Sequence, residues 1–382
     1  MLRDPAGYTE SVLMLPWPLV EIVALFDGRR SLLDVQADLT RRHGDIVPRA
    51  DLEHLIATLD QHGFMESARF TERRAAIDAA FRASPSRPAV HAGGAYAANA
   101  AELRSAMDGF FAPPAGPGAI PPPRGNDLVA IIAPHIDYHR GGPAYAWAYR
   151  DVAERCEADL FIVFGTCHAG MADPFALTDK DYDTPFGPAV ADRDFVERLA
   201  ARAGADCFAS EGAHRTEHSI EFQAVFLRYL YAGRRDFTIV PILASFAHEA
   251  LARGQGVEQD GAVPRFFDAL IQTIVTSKRR VALVAGADLA HVGPRFGDPA
   301  PVSAAERERI EREDRAMLES VVAGDAGAFF ESVARDGDRR RICGLSPIYA
   351  VLRVLGGRAG ALRHYGQWPD PQGVVSHASV VY

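Results

Sequence analysis

Four short, uninterrupted apolar runs constrain the fold of this chain more than any other feature: Leu128 to Ile132, Leu160 to Phe164, Phe237 to Leu243 and Val281 to Ala285. Each is bounded by polar breakers, and none alternates apolar with polar residues. A strand with only one covered face alternates, so these runs predict strands buried on both faces, as at the centre of a parallel sheet. Amphipathic helical patterns separate them. The expected fold class is therefore α/β, a mainly parallel central sheet flanked by helices.

The chain has 382 residues, 48% of them apolar and 24% charged, which is enough to bury a large core and to form more than one folding unit. Its formal charge of -9 sets up no overall field for phosphate backbones, so nucleic acid is not expected as a partner. No apolar stretch reaches the ~20 residues a bilayer span needs, so no membrane segment is expected. Cys156, Cys167, Cys207 and Cys343 form no CxxC pair. Scattered thiols of this kind suit neither a disulfide framework nor a clustered zinc site, and they point to a reducing, cytoplasmic setting.

Three units follow along the chain. Residues 1–80 read as a small, mostly helical, winged-helix-like domain. Its helices are a run through Leu19, Ile22 and Phe26 stopped at Gly28, a second from Ser31 to Arg42 and a third from Arg49 to His62, followed by a short strand at Phe64 to Glu66. Residues 81–127 connect, ending in the proline- and glycine-rich stretch from Ala112 to Asn126. Residues 128–382 carry the α/β pattern.

Three of the four apolar runs lead into metal-competent groups: His135 and Asp137 after the first, Cys167 and His168 after the second, Asp288 and His291 after the last. Ligands of open α/β sheets bind at the carboxyl ends of strands, so three such loops are expected to converge on one crevice. A fourth candidate is the segment Arg215 to Glu221, with Thr216 as N-cap of a helix and His218 in its first turn. There the helix dipole would favour a neutral, base-competent imidazole. His218 and Glu221 as a plain surface pair is the alternative. Histidines with a carboxylate and open positions suit a mononuclear iron site, and in tetrahedral arrangement they would suit zinc. Cys167 and Cys343 read as packing thiols, Arg339 to Arg341 as a solvated run, His364 and His377 as face residues of closing strands, and Ser303 with Glu306 as a capping box.

The ordered set His91 to Tyr96, Ala133 to His135, Gly165 to His168, Glu217 to Glu221, Asp288 to His291 and Cys343 to Ile348 resembles the Memo family, called AmmeMemoRadiSam system protein B in prokaryotes. The resemblance covers residues from about 88 to 382. It implies a class III extradiol dioxygenase-like fold, with His135 and His168 as metal ligands and His218 as the acid/base group. It also implies iron(II) as metal, with zinc or copper left open, and partnership with a radical S-adenosylmethionine protein and an AMMECR1-like protein. The resemblance sets Ala290 at the place of a third, cysteine ligand, so that Asp288, His291, Asp137 or water would complete the shell. Animal members are implicated in phosphotyrosine-peptide binding. Here Ala95 stands for the tryptophan of that element, and Tyr96 is kept.

Two readings of function follow: a metal-dependent, dioxygenase-like oxidoreductase acting on an unidentified small-molecule or peptide ligand, or a non-catalytic peptide- or partner-binding module on the same scaffold. Zinc-assisted hydrolysis ranks below both, since no HExxH-type helix motif supplies a carboxylate. Tyr96, Asp137, Glu221, Asp288 and His291 are the additional site candidates.

Overall fold

The computed structural model describes residues 1–259, 261–370 and 372–382. Among them the chain forms two compact units, Met1–Ala83 and Ser84–Tyr382.

In the first unit, helices Trp17–Val23, Leu32–His43 and Arg49–Gln61 enclose a small core of Leu25, Val35, Leu39 and Leu52. Ser31 caps the second of these: its side chain accepts from Asp34 N while the Asp34 carboxylate accepts from Ser31 N. Residues 64–66 form no strand. Gly63 takes the left-handed conformation (φ 79°), and Phe64 N donates back to Leu59 O at 2.8 Å, so this amide finishes the preceding helix instead of joining a ladder. A further helix, Ala68–Ala83, completes the unit.

The second unit is a mixed α/β fold whose central sheet has nine strands among the described residues. We number them β1 (Ala130–Ala133), β2 (Leu160–Thr166), β3 (Phe175–Leu177), β4 (Val190–Ala191), β5 (Thr238–Ala244), β6 (Val281–Gly286), β7 (Asp288–Val292), β8 (Ala361–Asp370) and β9 (Gly373–Val381). The order is β8-β9-β1-β6-β2-β5-β3, with β4 beside β5 and β7 beside β9. The neighbours β1-β6-β2-β5 pair in parallel, and β4 joins β5 in the same sense. Pairings to β3, β7, β8 and β9 are antiparallel. The sheet is thus mixed, parallel at its centre and antiparallel at both margins.

Apolar side chains leave both faces of that centre. Ile132, Ile162, Phe164, Val240 and Ile242 enter one core cluster, while Ile131, Phe161, Val163, Ile239 and Leu243 enter the other. This two-sided burial is why the runs do not alternate. The segment from Ser84 to Asp127 belongs to this unit: Ser86–Arg87 pairs in parallel with Asp181–Tyr182, and helix Ala100–Phe110 buries Leu103 and Met107. Arg87, wholly buried, forms an ion pair with Glu221. Ser303 caps helix Ala304–Val322 by accepting from Glu306 N at 3.1 Å.

Two glycines on adjacent strands set the geometry of the site. Gly165 of β2 and Gly286 of β6 lie side by side in register. A Cβ on Gly165 would meet Ser219 Oγ at 2.4 Å, and one on Gly286 would meet Ser219 O at 2.4 Å. Only this bare patch lets the start of helix Ser219–Tyr231 lie against the strand ends, where Ser219 Oγ donates to Thr166 O at 2.9 Å and Gln223 Nε2 to Pro134 O at 2.7 Å. We predict that Gly286→Ala costs about 1–3 kcal/mol, the range for overpacking against backbone that cannot retreat. Its melting temperature should fall by several degrees relative to wild type. An unchanged melt would show that the helix start is free to shift.

Candidate metal centre

The strand order explains why residues distant in sequence meet. His135 follows β1, His168 follows β2, and β6 between them leads through Ala287 to Asp288, so three neighbouring parallel strands deliver their carboxyl ends to one place. The ring centroids of His135 and His168 are 4.9 Å apart, those of His135 and His218 5.2 Å, and those of His168 and His218 4.6 Å with the rings nearly stacked.

Each of the first two histidines is held by one ring nitrogen, leaving the other free to act. His135 Nδ1–H donates to Gly286 O at 2.9 Å, and His135 N donates to Asp288 Oδ1 at 3.0 Å. His168 Nδ1–H donates to the Glu217 carboxylate, at 3.0 and 3.1 Å from its two oxygens. Such bonds fix the tautomer and ring direction of metal-binding imidazoles and leave Nε2 as the donor atom.

The sulfur that reaches these histidines belongs to Cys343, whose Sγ lies 3.3 Å from His135 Nε2. His135, His168 and Cys343 offer ligand atoms that all lie within 4.8 Å of one another. A second such group consists of His168, Glu217 and His218. Ala290 is fully buried within β7. Cys343 arrives because Gly344 permits close approach: its amide donates to Asp288 O at 3.0 Å, and a Cβ there would meet that oxygen at 2.5 Å. Thr166 Oγ1 donates to Cys343 O at 3.0 Å and holds the turn on β2. Cys167 is buried and falls in neither ligand group.

The helix carrying the third histidine begins at Ser219, so Thr216 is not its N-cap, and His218 occupies the cap position rather than the first turn. The residues before it form a 3-10 turn, Glu211–Arg215. Glu217 supplies the cap: its carboxylate accepts from His218 N at 2.8 Å and Ser219 N at 3.0 Å, and also from His168 N at 2.8 Å. Burial opposes its ionisation, but His168 and His218 outweigh that and hold its carboxyl well below the usual range. Burial also opposes charge on His168, yet Glu217 prevails and raises its pKa. Burial, with neighbouring His168, pushes His135 down to about 3, and burial drives His218 well below the ordinary histidine value. Desolvation is the largest cause that keeps His218 neutral. Burial, with Asp288 nearby, raises the Cys343 thiol well above its usual value.

The remaining candidates take other places. Asp288 lies under His135, with Oδ2 3.7 Å from Nε2. It opens strand β7 rather than a loop, and His291 sits on the same strand with Nδ1 donating to Leu289 O at 3.1 Å. Asp137 pairs with Arg140 at 2.6 Å. Glu221 is not a surface residue: it is wholly buried and receives Arg87, the Tyr96 hydroxyl and His91 N. Tyr96 therefore supports the floor of the site. The arginine run is solvated only in part: Arg339 and Arg341 keep partly exposed side chains paired with Glu313 and Asp298, while Arg340 is buried against Asp314. His377 lies on β9 opposite Asp288 and is buried, not an ordinary face residue.

Fold and site together define a mixed α/β protein with a two-histidine, one-cysteine candidate metal centre at the ends of its parallel strands. Residues 87–382 match the family profile described as Memo-like protein. The chain belongs to the Memo family. A MEMO1 family protein of Aquifex aeolicus is 25% identical, over 100% of this chain and 95% of its own length. MEMO1 family protein MK0963 of Methanopyrus kandleri is 28% identical over 77% of this chain and 98% of its own. A MEMO1 family protein of Aeropyrum pernix is 30% identical over 69% and 85%.

Glu217 is the residue that sequence reasoning passed over, although it stands inside a quoted motif. We predict that Glu217→Gln destabilises the metal-free protein by on the order of 2 kcal/mol, as expected for hydrogen bonds to a buried charge. A depressed carboxyl stabilises the fold above its unfolded value and loses that contribution as pH falls through the folded one. The wild-type advantage should be complete above the ordinary glutamate value of 4.5 and shrink only in more acidic solution. Melting temperatures of both proteins across that range check it. A difference that grows on acidification would contradict the assignment.

Proposed function

We propose that the protein is a metal-dependent, dioxygenase-like oxidoreductase whose metal is held by His135, His168 and Cys343, with His218 as the proton-transfer group. The observation that carries this is the meeting of three donor atoms within 4.8 Å of one another, each on a side chain already oriented by a second partner. Two imidazoles, each with Nε2 turned to the site, and one sulfur fit a metal shell that keeps positions open for a further ligand. Iron(II) is the metal we assign, and zinc and copper are the outcomes that metal analysis distinguishes. The ion would supply Lewis acidity and, as iron or copper, electron transfer.

The side chains of this chain do the rest. His218 is partly open and stacked on His168, so its neutral ring can take a proton from a hydroxyl presented beside the centre. General-base assistance of this kind is worth ~10²–10⁴-fold in rate. The carboxylates that a carboxylate-assisted hydrolysis would use are engaged: Glu217 accepts four N–H bonds, and Asp288 holds His135 N. That favours the oxidoreductase over the hydrolase.

The alternative is a non-catalytic peptide- or partner-binding module on the same scaffold, in which the first unit acts as a winged-helix-like recruiting element. It exposes Met14, Trp17, Leu33 and Ile46, and a radical S-adenosylmethionine protein and an AMMECR1-like protein are the partners proposed from family resemblance.

Anaerobic purification followed by elemental analysis should find about one metal per chain in wild type, and far less in His135→Ala, His168→Ala and Cys343→Ala. Cobalt(II) loading should give a thiolate charge-transfer band that vanishes in Cys343→Ser. Metal content indifferent to all three substitutions would sink the proposal.

A further inference from the structure

Beside the metal ligands opens a cleft of about 600 Å³, walled by His168, Met171, His291, Phe296 and Cys343. A second cleft, of about 810 Å³, is walled by Leu251, Val257, Phe330, Ala334 and Tyr349. The two share a pair of residues, His248 and Asp338. Both are hung on the residue that precedes the thiol: His248 Nε2–H donates to Ile342 O at 3.1 Å, and Ile342 N donates to Asp338 Oδ1 at 2.7 Å. The polar boundary between the clefts is thereby fixed relative to Cys343.

The second cleft offers one aromatic hydroxyl to an occupant. Tyr349 is only 5% exposed, and its ring packs edge-on against Phe246 and Phe330. Its hydroxyl makes no hydrogen bond to another described residue and is not a buried orphan atom, so it opens to the cleft and is available to an occupant. Glu331 apart, the charged walls are compensated. Arg341 is spent on Asp298 and on His291 O, and Glu258 pairs with Arg353. A cleft that is mostly apolar, with its cations already paired and one hydroxyl open to it, suits an apolar tail that carries no negative charge and ends in a hydrogen-bonding group.

We infer that the two clefts are one extended site for an amphiphilic small molecule. Its metal-binding head lies beside His168 and Cys343, and its uncharged apolar tail, ending in a hydrogen-bonding group, reaches past His248 and Asp338 to Tyr349. This rests on the metal-centre reading, which sets the head end, and it adds the substrate class.

The test uses the metal-loaded full chain and three probes: acetohydroxamate, octanohydroxamate and 8-hydroxyoctanohydroxamate, titrated calorimetrically. Burial of part of the added chain should tighten octanohydroxamate by about tenfold or more over acetohydroxamate. Ala334→Trp, which fills the second cleft, should abolish that gain while leaving metal content and acetohydroxamate affinity unchanged. Tyr349→Phe should weaken only the hydroxyl-ended probe. Equal affinities for the short and long probes, or a gain that survives Ala334→Trp, overturns the inference. If no hydroxamate binds, the joined site fails at its metal end. Binding of 1-octanol to metal-free wild type but not to Ala334→Trp separates that failure from a failure of the tail cleft.

Discussion

One buried carboxylate ties the site together. Glu217 accepts the ring N–H and the amide of His168 on one side and the first amides of helix Ser219–Tyr231 on the other, so the end of a central strand and the start of the covering helix share a single anion. Helix starts carry unsatisfied N–H groups and a partial positive charge, and an anion there answers both. The same anion also fixes which nitrogen of His168 faces the cleft. A neutral cap such as serine could satisfy the helix but would leave His168 without its orienting acceptor. The need for charge here is therefore a requirement of the site, met by a device that the fold also uses.

Around that anion the burial of polar groups follows a consistent rule. Charges deep in the unit occur in pairs: Arg87 with Glu221 beneath the histidines, and Arg340 with Asp314 behind the Cys343 turn. Histidines without a carboxylate bonded to the ring stay neutral, as burial dictates for His135 and for His214, which is pushed down to about 4. The metal-free centre then holds the His135 lone pair, the His168 ring whose charged form Glu217 favours, and a thiol proton in a confined space. A cation entering it would displace the protons on these donors and gain three ligands with little rearrangement, which is the physical content of preorganisation at such a site.

The central sheet was legible because its signal is local. Apolar runs without alternation report two-sided burial directly, and their endings marked His135, His168 and Asp288. The closing strands β8 and β9 were legible as well, but the short antiparallel strands β3 and β7 were not, since they are specified by pairing rather than by pattern, and the stretch Phe64 to Glu66 has strand-like residues with no ladder to join. Cys343 was discounted for a related reason. A cysteine before an apolar helix is most often packing, and only its distance from His135, 208 positions away in sequence, reveals otherwise. Glu221 shows the converse: a spacing that suits a surface pair proves to be a buried salt bridge, because Arg87 comes from a segment whose composition announces a linker.

The wide spacing of the three candidate ligands has an energetic consequence. His135 and His168 sit on the strand ends, whereas Cys343 belongs to the turn before helix Leu345–Leu355, which packs on the opposite core cluster from helix Ser219–Tyr231. A metal held by all three therefore cross-links elements from both faces of the sheet, closing loops long enough to be costly in chain entropy. Because the unfolded chain cannot bring these donors together, binding acts almost wholly on the folded state. Occupancy at 100 times the dissociation constant would add about 2.7 kcal/mol to its stability. That coupling makes the turn from Arg340 to Gly344 the joint through which the centre, the shared boundary at His248 and Asp338, and the helix carrying Tyr349 are held in a common frame.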